Sequence, residues 1–385
     1  MSMFQKRYLL TPGPTMIPPA VTEARAKQLP HHRTPQFKEL IRDIHEDLKY
    51  LFQTEHDVYS LTTSGTGAME ASVATVLSTG DEVIVVDGGK FGARWVKICK
   101  CYGIEVIPVA VERGRAVDPQ AISEALKKHP RAKAVLTHLT ETSTGCTYDL
   151  ETIGPIVAKS DALLIVDSIS GLGAEPFRPD AWGVDAAVAG SQKGIMLPPG
   201  LGFASLSPRA WEAAKTATCP CFYLDLRRYR EGYAEGYHPF TPSIGLYIQL
   251  AEAMKMIRQE TIEGMWRRHA WLARATQAGV AALGLELFAQ RPSNVLTAVK
   301  VPKGVEANRL LGIMRDDLGV TIAGGQEELQ GKIMRIGHLG YIDRFDILSA
   351  ISALEIALKR TGYQVTLGSG ITAAEQVIAE EQVET

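Results

Sequence analysis

Short apolar runs at residues 58–62, 82–87, 105–109, 134–138, 163–167 and 186–189 recur through the first 210 residues, with helix-length segments between most of them. Runs of this length, bounded by turn residues, read as strands. Their alternation with helices predicts a largely parallel sheet covered by helices on both faces. In such α/β sheets a ligand sits beyond the carboxyl ends of the strands. The residues just after each run are therefore where chemistry is expected. An earlier helix is predicted over 35–52, because Phe37, Leu40, Ile41, Ile44, Leu48 and Leu51 recur at helical spacing.

The second half changes character. Residues 243–283 are helical in pattern almost throughout, relaxed around Thr261-Ile262-Glu263-Gly264. Strand candidates follow at 295–301 and 332–336, with helices near 307–318 and 344–360. The expected organisation is an N-terminal arm (1–15), a large α/β domain (16–255) and a smaller α/β domain (256–385). After Thr366 an amphipathic helix and an acidic frayed end both fit the pattern, and the solvated end is the expectation.

The composition is that of an ordinary soluble chain, 45% hydrophobic and 22% charged over 385 residues, enough to bury a large core. A net charge of -2 gives no broad attraction to nucleic acid or anionic lipid. No signal-like apolar core opens the chain, and no stretch approaches the roughly 20 apolar residues of a membrane span. A cytoplasmic protein is expected. Its five cysteines include the pairs Cys99/Cys101 and Cys219/Cys221, one residue apart. Zinc sites usually leave two or more residues between ligands, so no metal is expected.

Two positions carry the chemistry. Asp167 closes the run Leu163-Leu164-Ile165-Val166, and Lys193 follows the run at 186–189 in Gly190-Ser191-Gln192-Lys193-Gly194. A carboxylate and an amine at the ends of buried strands are what a pyridoxal phosphate enzyme needs, one to keep a ring nitrogen protonated and one to link covalently. Alone, each residue also fits a turn or a solvated surface. The turn Thr63-Ser64-Gly65-Thr66-Gly67-Ala68 opens a helix and suits an anion at its positive end, or serves only as a tight connection. It lacks the glycine spacing of a dinucleotide fingerprint and the lysine of a P-loop. The hydroxyl-dense Thr140-Glu141-Thr142-Ser143-Thr144 either binds a phenolic oxygen or caps a helix. Phe91, in Gly88-Gly89-Lys90-Phe91-Gly92, either stacks on a flat heterocycle or plugs the core.

Together with Thr11-Pro12-Gly13-Pro14 and Met334-Arg335-Ile336-Gly337, these segments resemble the class V branch of fold-type I aminotransferases, specifically the alanine–glyoxylate / serine–pyruvate family, from Thr11 to about Arg360. The resemblance implies a mostly parallel seven-stranded sheet in the large domain, a small C-terminal α/β domain, and a homodimer with shared active sites. Pyridoxal 5'-phosphate is the implied cofactor. Lys193 matches the lysine that links to it and Asp167 the partner of its ring nitrogen. Thr66, Gly67, Ala68 and Gln192 match phosphate contacts, Phe91 the stacking ring, and Thr142 the hydroxyl near the phenolic oxygen. Ile169 joins the cofactor-binding set. Tyr237 and Thr241 match residues that reach the phosphate of the other subunit, and Arg335 the clasp on the substrate carboxylate. Phe91 stands where tryptophan is commoner, and Ala68 where some members place histidine. These departures touch cofactor tuning more than reaction class.

The implied activity is amino transfer from alanine or serine to glyoxylate or pyruvate. A dicarboxylate donor such as aspartate needs a second cation, for which Arg33 is the candidate, although a structural ion pair is the expectation there. A cysteine desulfurase needs a mobile thiol in the C-terminal half, and no cysteine follows Cys221. A non-catalytic subunit on the same fold is disfavoured by the intact lysine, aspartate and arginine.

Overall fold

The computed structural model describes residues 6–26 and 28–380. Helix α1 (Pro35–Phe52) starts where Thr34 accepts a hydrogen bond from the Phe37 amide and Pro35 fixes the first turn. It ends at Gln53 in the left-handed conformation, φ 55°. The apolar stripe found in the sequence faces inward: Phe37, Ile41, Ile44, Leu48 and Leu51 are all buried.

Seven strands then build the main sheet: β1 (Val58–Leu61), β2 (Glu82–Asp87), β3 (Glu105–Ala110), β4 (Ala134–His138), β5 (Leu163–Asp167), β6 (Ala186–Gly190) and β7 (Gly202–Leu206). Their order is β1-β7-β6-β5-β4-β2-β3. All neighbouring pairs are parallel except those of β7, which runs antiparallel between β1 and β6. The central strands are buried along their whole length, because apolar clusters cover both faces of the sheet. Strand β7, Gly-Phe-Ala-Ser-Leu, is short and mixed in character, so only the family resemblance pointed to a seventh strand. Helix α2 (Gly65–Val76) follows β1, and α3 (Lys90–Cys101) follows β2.

The long helical region divides into α4 (Ile244–Glu260) and α5 (Ile262–Ala282) at the single residue Thr261, whose φ is 67°. A three-stranded antiparallel sheet follows, β8 (Leu296–Lys300), β9 (Ala323–Gly324) and β10 (Ile333–Gly337), in the order β8-β10-β9. With α6 (Arg344–Arg360) it encloses a third apolar core that also takes in Leu10 from the arm. The arm is tied down: Leu10 O accepts the Gly337 amide at 2.7 Å.

The end of the chain corrects the expectation of a solvated tail. Helix α7 (Ser369–Glu380) packs against α5, where Gly279 and Gly370 let the backbones approach. The buried carboxylate of Glu355 on α6 accepts the amides of Gly368, Gly370 and Ile371, satisfying donors that every helix leaves free at its start. Residues 381–385 lie outside the described residues.

Candidate active site

Five sheet strands deliver side chains to one cavity of about 210 Å³ at their carboxyl ends. Thr66 comes from the turn after β1, Phe91 and Arg94 from α3 after β2, and Thr142 from the segment after β4. Asp167 ends β5, Ile169 and Ser170 follow it, and Gln192 and Lys193 follow β6. Gly13 and Pro14 close it from the arm. The glycines are required by proximity: a Cβ on Gly13 would collide with the Lys193 side chain, and one on Gly65 would stand 2.7 Å from Ile169. A larger cavity, about 570 Å³, lies among Met16, Met196, Met256 and Tyr341. Of its charged lining residues Glu260, Arg268, Asp343 and Asp346, the first two bind each other, and none of the motif residues enters it.

The electrostatics suit a charged ligand. Burial lowers the Lys193 pKa to about 8, against the pull of Asp167 and aided by Arg335 and Arg94. Its Nζ donates to the carbonyl of Pro12, and Thr15 Oγ1 donates to the Lys193 carbonyl at 3.2 Å. Burial raises the Asp167 pKa, while His138 and the Ile169 amide lower it. Asp167 Oδ1 accepts that amide at 2.8 Å, whereas Oδ2 meets only His138 Nε2 at 3.7 Å. A buried carboxylate this poorly paired is costly unless a cation arrives with the ligand. The Gly65 and Thr66 amides begin α2 and have no partner within the helix. The Gln192 side-chain oxygen is buried without a hydrogen-bond partner. Cavity and charges suit a flat heterocycle with a cationic ring nitrogen, an anionic arm and a carbon that an amine can attack.

Thr66, Phe91, Thr142, Asp167, Ile169, Gln192 and Lys193 thus converge, but the remaining candidates sit elsewhere. Gly67 and Ala68 donate their amides to Ser64 O, at 2.9 and 3.2 Å, and turn inward; a Cβ on Gly202 would lie 3.2 Å from Ala68 Cβ. The amides free for an anion are therefore those of Gly65 and Thr66, one to two residues earlier than expected. Arg335, on β10, is buried behind Thr142. Its Nε donates to Gly324 O and its Nη1 to Thr142 O, both at 3.0 Å, leaving Nη2 and one Nη1 hydrogen. Burial lowers its pKa to about 10, so it stays charged at neutral pH. Tyr237 and Thr241 are exposed, outside the cavity wall, while His238 and Phe240 between them pack inward against Tyr247 and Tyr229. Arg33 is exposed and forms no ion pair among the described residues, contrary to the expectation. Cys146 is buried in the core, as a packing residue should be.

Two residues of the site were missed in the sequence. Glu141, buried, accepts the amides of Phe91 at 3.1 Å and of Gly92 and Ser143 at 3.0 Å, tying the aromatic turn to the hydroxyl-rich one. Its acidity hid among hydroxyls that drew attention to themselves. Arg94 lies three residues beyond Phe91 on α3 and donates to Thr66 Oγ1 at 2.9 Å, a meeting of two distant segments that no local pattern encodes.

Comparison with known proteins agrees with this geometry. The family model for aminotransferase class-V matches residues 7–344. The chain belongs to the class V aminotransferase family. Its relatives within that similarity include the soluble hydrogenase small subunit of Synechococcus sp. strain PCC 6716, 43% identical over 98% of this chain and 100% of the other. The serine–glyoxylate aminotransferase of Methylorubrum extorquens is 35% identical over 97% of this chain and 96% of the other. The L-aspartate–glyoxylate aminotransferase of Paracoccus denitrificans is 36% identical with the same coverage, 97% and 96%. The crystal structure of ureidoglycine–glyoxylate aminotransferase from Bacillus subtilis superimposes with a TM-score of 0.94 at 28% identity, covering 98% of this chain and all of that one. The fold is thus that of class V, fold-type I aminotransferases.

Proposed function

We propose that this chain is a pyridoxal 5'-phosphate-dependent aminotransferase that moves the amino group of alanine or serine to glyoxylate or pyruvate. The observation that carries the reading is the pairing, in one cavity, of a buried amine shifted towards neutrality with a buried carboxylate whose second oxygen meets only His138 Nε2, at 3.7 Å. Pyridoxal 5'-phosphate, when bound, supplies a conjugated ring that withdraws electrons from the substrate Cα. Lys193 would hold it covalently, and Asp167 would keep its ring nitrogen protonated. The Gly65 and Thr66 amides, the Thr66 hydroxyl and Gln192 would take its phosphate, Phe91 and Ile169 its faces, and Thr142 its phenolic oxygen.

The protein's own steps follow from these positions. Arg335 offers Nη2 and one Nη1 hydrogen to the substrate carboxylate, its other donors being fixed by two carbonyls, so orientation is set before reaction. Lys193 Nζ, when free, would take the proton from the substrate Cα and return it later in the transfer. Glu141 keeps the Phe91 turn in place throughout.

The proposal includes a homodimer. Tyr237 and Thr241 face outward beside an aromatic patch in which Phe222 is 63% exposed and lies 5.6 Å, ring to ring, from Phe240. Exposed aromatic surface of this kind suits a partner subunit. A division into large and small domains belongs to the same reading, supported by a separate core around β8 to β10, but a boundary at 255/256 would cut α4, and Ile257, Ile262 and Met265 beyond it pack in the core of the main sheet. A cytoplasmic setting is supported by five unpaired thiols, and no helix among the described residues is long and apolar enough to cross a membrane.

A dicarboxylate donor is the second reading, favoured by Arg33, which is exposed and has no ion pair among the described residues. Steady-state kinetics across donors and acceptors separates the two. A higher kcat/KM for alanine or serine with glyoxylate than for aspartate, or for glutamate with 2-oxoglutarate, is expected. The reverse order, abolished by Arg33→Ala, would establish the dicarboxylate enzyme instead.

A further inference from the structure

Arg94 stands between the two ends of the cavity. Its Nη1 donates to Thr66 Oγ1 at 2.9 Å, and its guanidinium carbon lies 4.7 Å from the centroid of the Phe91 ring, one helical turn back on α3. The guanidinium is half-buried and lines the cavity. A threonine hydroxyl that accepts from an arginine has its own hydrogen left to donate. That hydrogen starts from a residue whose backbone amide is also free, at the positive end of a 12-residue helix. On the other side, a guanidinium packed over a phenyl ring fixes the ring's tilt through a cation–π contact. Phe91 presents less surface than the tryptophan usual in the family, so its orientation depends more on such support.

We propose that Arg94 is a positioning residue for the cofactor, acting through Thr66 on the phosphate and through Phe91 on the ring. It rests on the reading of this cavity as a pyridoxal 5'-phosphate site. Arg94 binds the phosphate indirectly: its charge polarises the Thr66 hydroxyl and holds it towards an incoming oxyanion. The phosphorylated ligand should therefore depend on Arg94 more than the same ring without its phosphate. The effects of losing Arg94 and losing the Thr66 hydroxyl should also overlap, because one acts through the other.

The experiment is a titration of the apo-protein with pyridoxal 5'-phosphate and, separately, with pyridoxal, followed by the absorbance of the bound form. Wild type, Arg94→Met, Arg94→Lys, Thr66→Val and the double variant Arg94→Met/Thr66→Val are compared, with far-UV circular dichroism as the check on folding. Arg94→Met should weaken pyridoxal 5'-phosphate about tenfold to a hundredfold, the range for a charged hydrogen bond, and pyridoxal clearly less. The double variant should bind within about twofold of the weaker single variant. Arg94→Lys should recover part of the loss, keeping the charge but not the planar stack. Loading of Arg94→Met as in wild type, equal losses for both ligands, or losses that add with Thr66→Val would overturn the proposal. If Arg94→Met does not fold, the same cycle run with Arg94→Lys decides: its loss must again overlap that of Thr66→Val. A wild-type protein showing no absorbance band dependent on Lys193 overturns this inference and the functional reading together. An intact wild-type band with a silent Arg94 overturns the inference alone.

Discussion

At the scale of single residues, the site is governed by desolvation. Lys193 and Asp167 are each pushed towards neutrality by burial; Asp167 partly holds up the charge of Lys193, and His138 and the Ile169 amide partly hold that of Asp167. An amine attacks only in its neutral form. At a pKa of about 8, roughly one Lys193 in ten is neutral at pH 7, against fewer than one in a thousand for an exposed lysine. The apo-protein should therefore react with an added aldehyde at a rate rising through a midpoint near pH 8, read by absorbance after rapid mixing. Because Asp167 holds the Lys193 pKa up, Asp167→Asn should move that midpoint lower. A midpoint above pH 10, or one moved upwards by Asp167→Asn, would mean the amine is not desolvated as described.

At the scale of elements, a buried acid secures the last helix as Glu141 secures the Phe91 turn. Glu355→Ala removes the acceptor for three amides at the start of α7. Leaving buried donors unsatisfied costs about 1–3 kcal/mol, so the urea midpoint should fall at constant slope. An unchanged midpoint would mean that α7 adds little to stability. The strands of the main sheet were legible in the sequence because they are buried on both faces and read as unbroken apolar runs. Strand β7 was not, since Gly202-Phe203-Ala204-Ser205-Leu206 owes its burial to neighbours rather than to its own composition. Helix α7 was legible only as the lesser alternative to a solvated end, as its packing rests on the approach of Gly370 to Gly279 and its start on Glu355, both partners distant in sequence. Lys193, Asp167 and Thr142 stood out by following strand ends, whereas Arg94 and Glu141 act by linking segments far apart in the chain. For Gly67 and Ala68 the motif was found but not its orientation, which depends on contact with Gly202.

At the scale of the whole molecule, the proposed dimer would have the outward-facing Tyr237 and Thr241 complete the site of the other subunit. Lys193→Ala subunits mixed with Tyr237→Phe/Thr241→Ala subunits should form hybrids with one intact site each. Random exchange in a two-fold dimer then restores about a quarter of the wild-type sites. No gain over the separate variants, with exchange proven by mass, would place each site within a single chain. The central claim is amino transfer through Lys193, and the most direct measurement of it follows a nitrogen atom. Protein loaded with pyridoxal 5'-phosphate is given ¹⁵N-labelled serine or alanine together with glyoxylate, and the glycine formed is examined by mass spectrometry. Labelled glycine is expected from the wild type, and almost none from Lys193→Ala. Unlabelled glycine, no glycine from a fully loaded wild type, or undiminished label transfer by Lys193→Ala would contradict the claim.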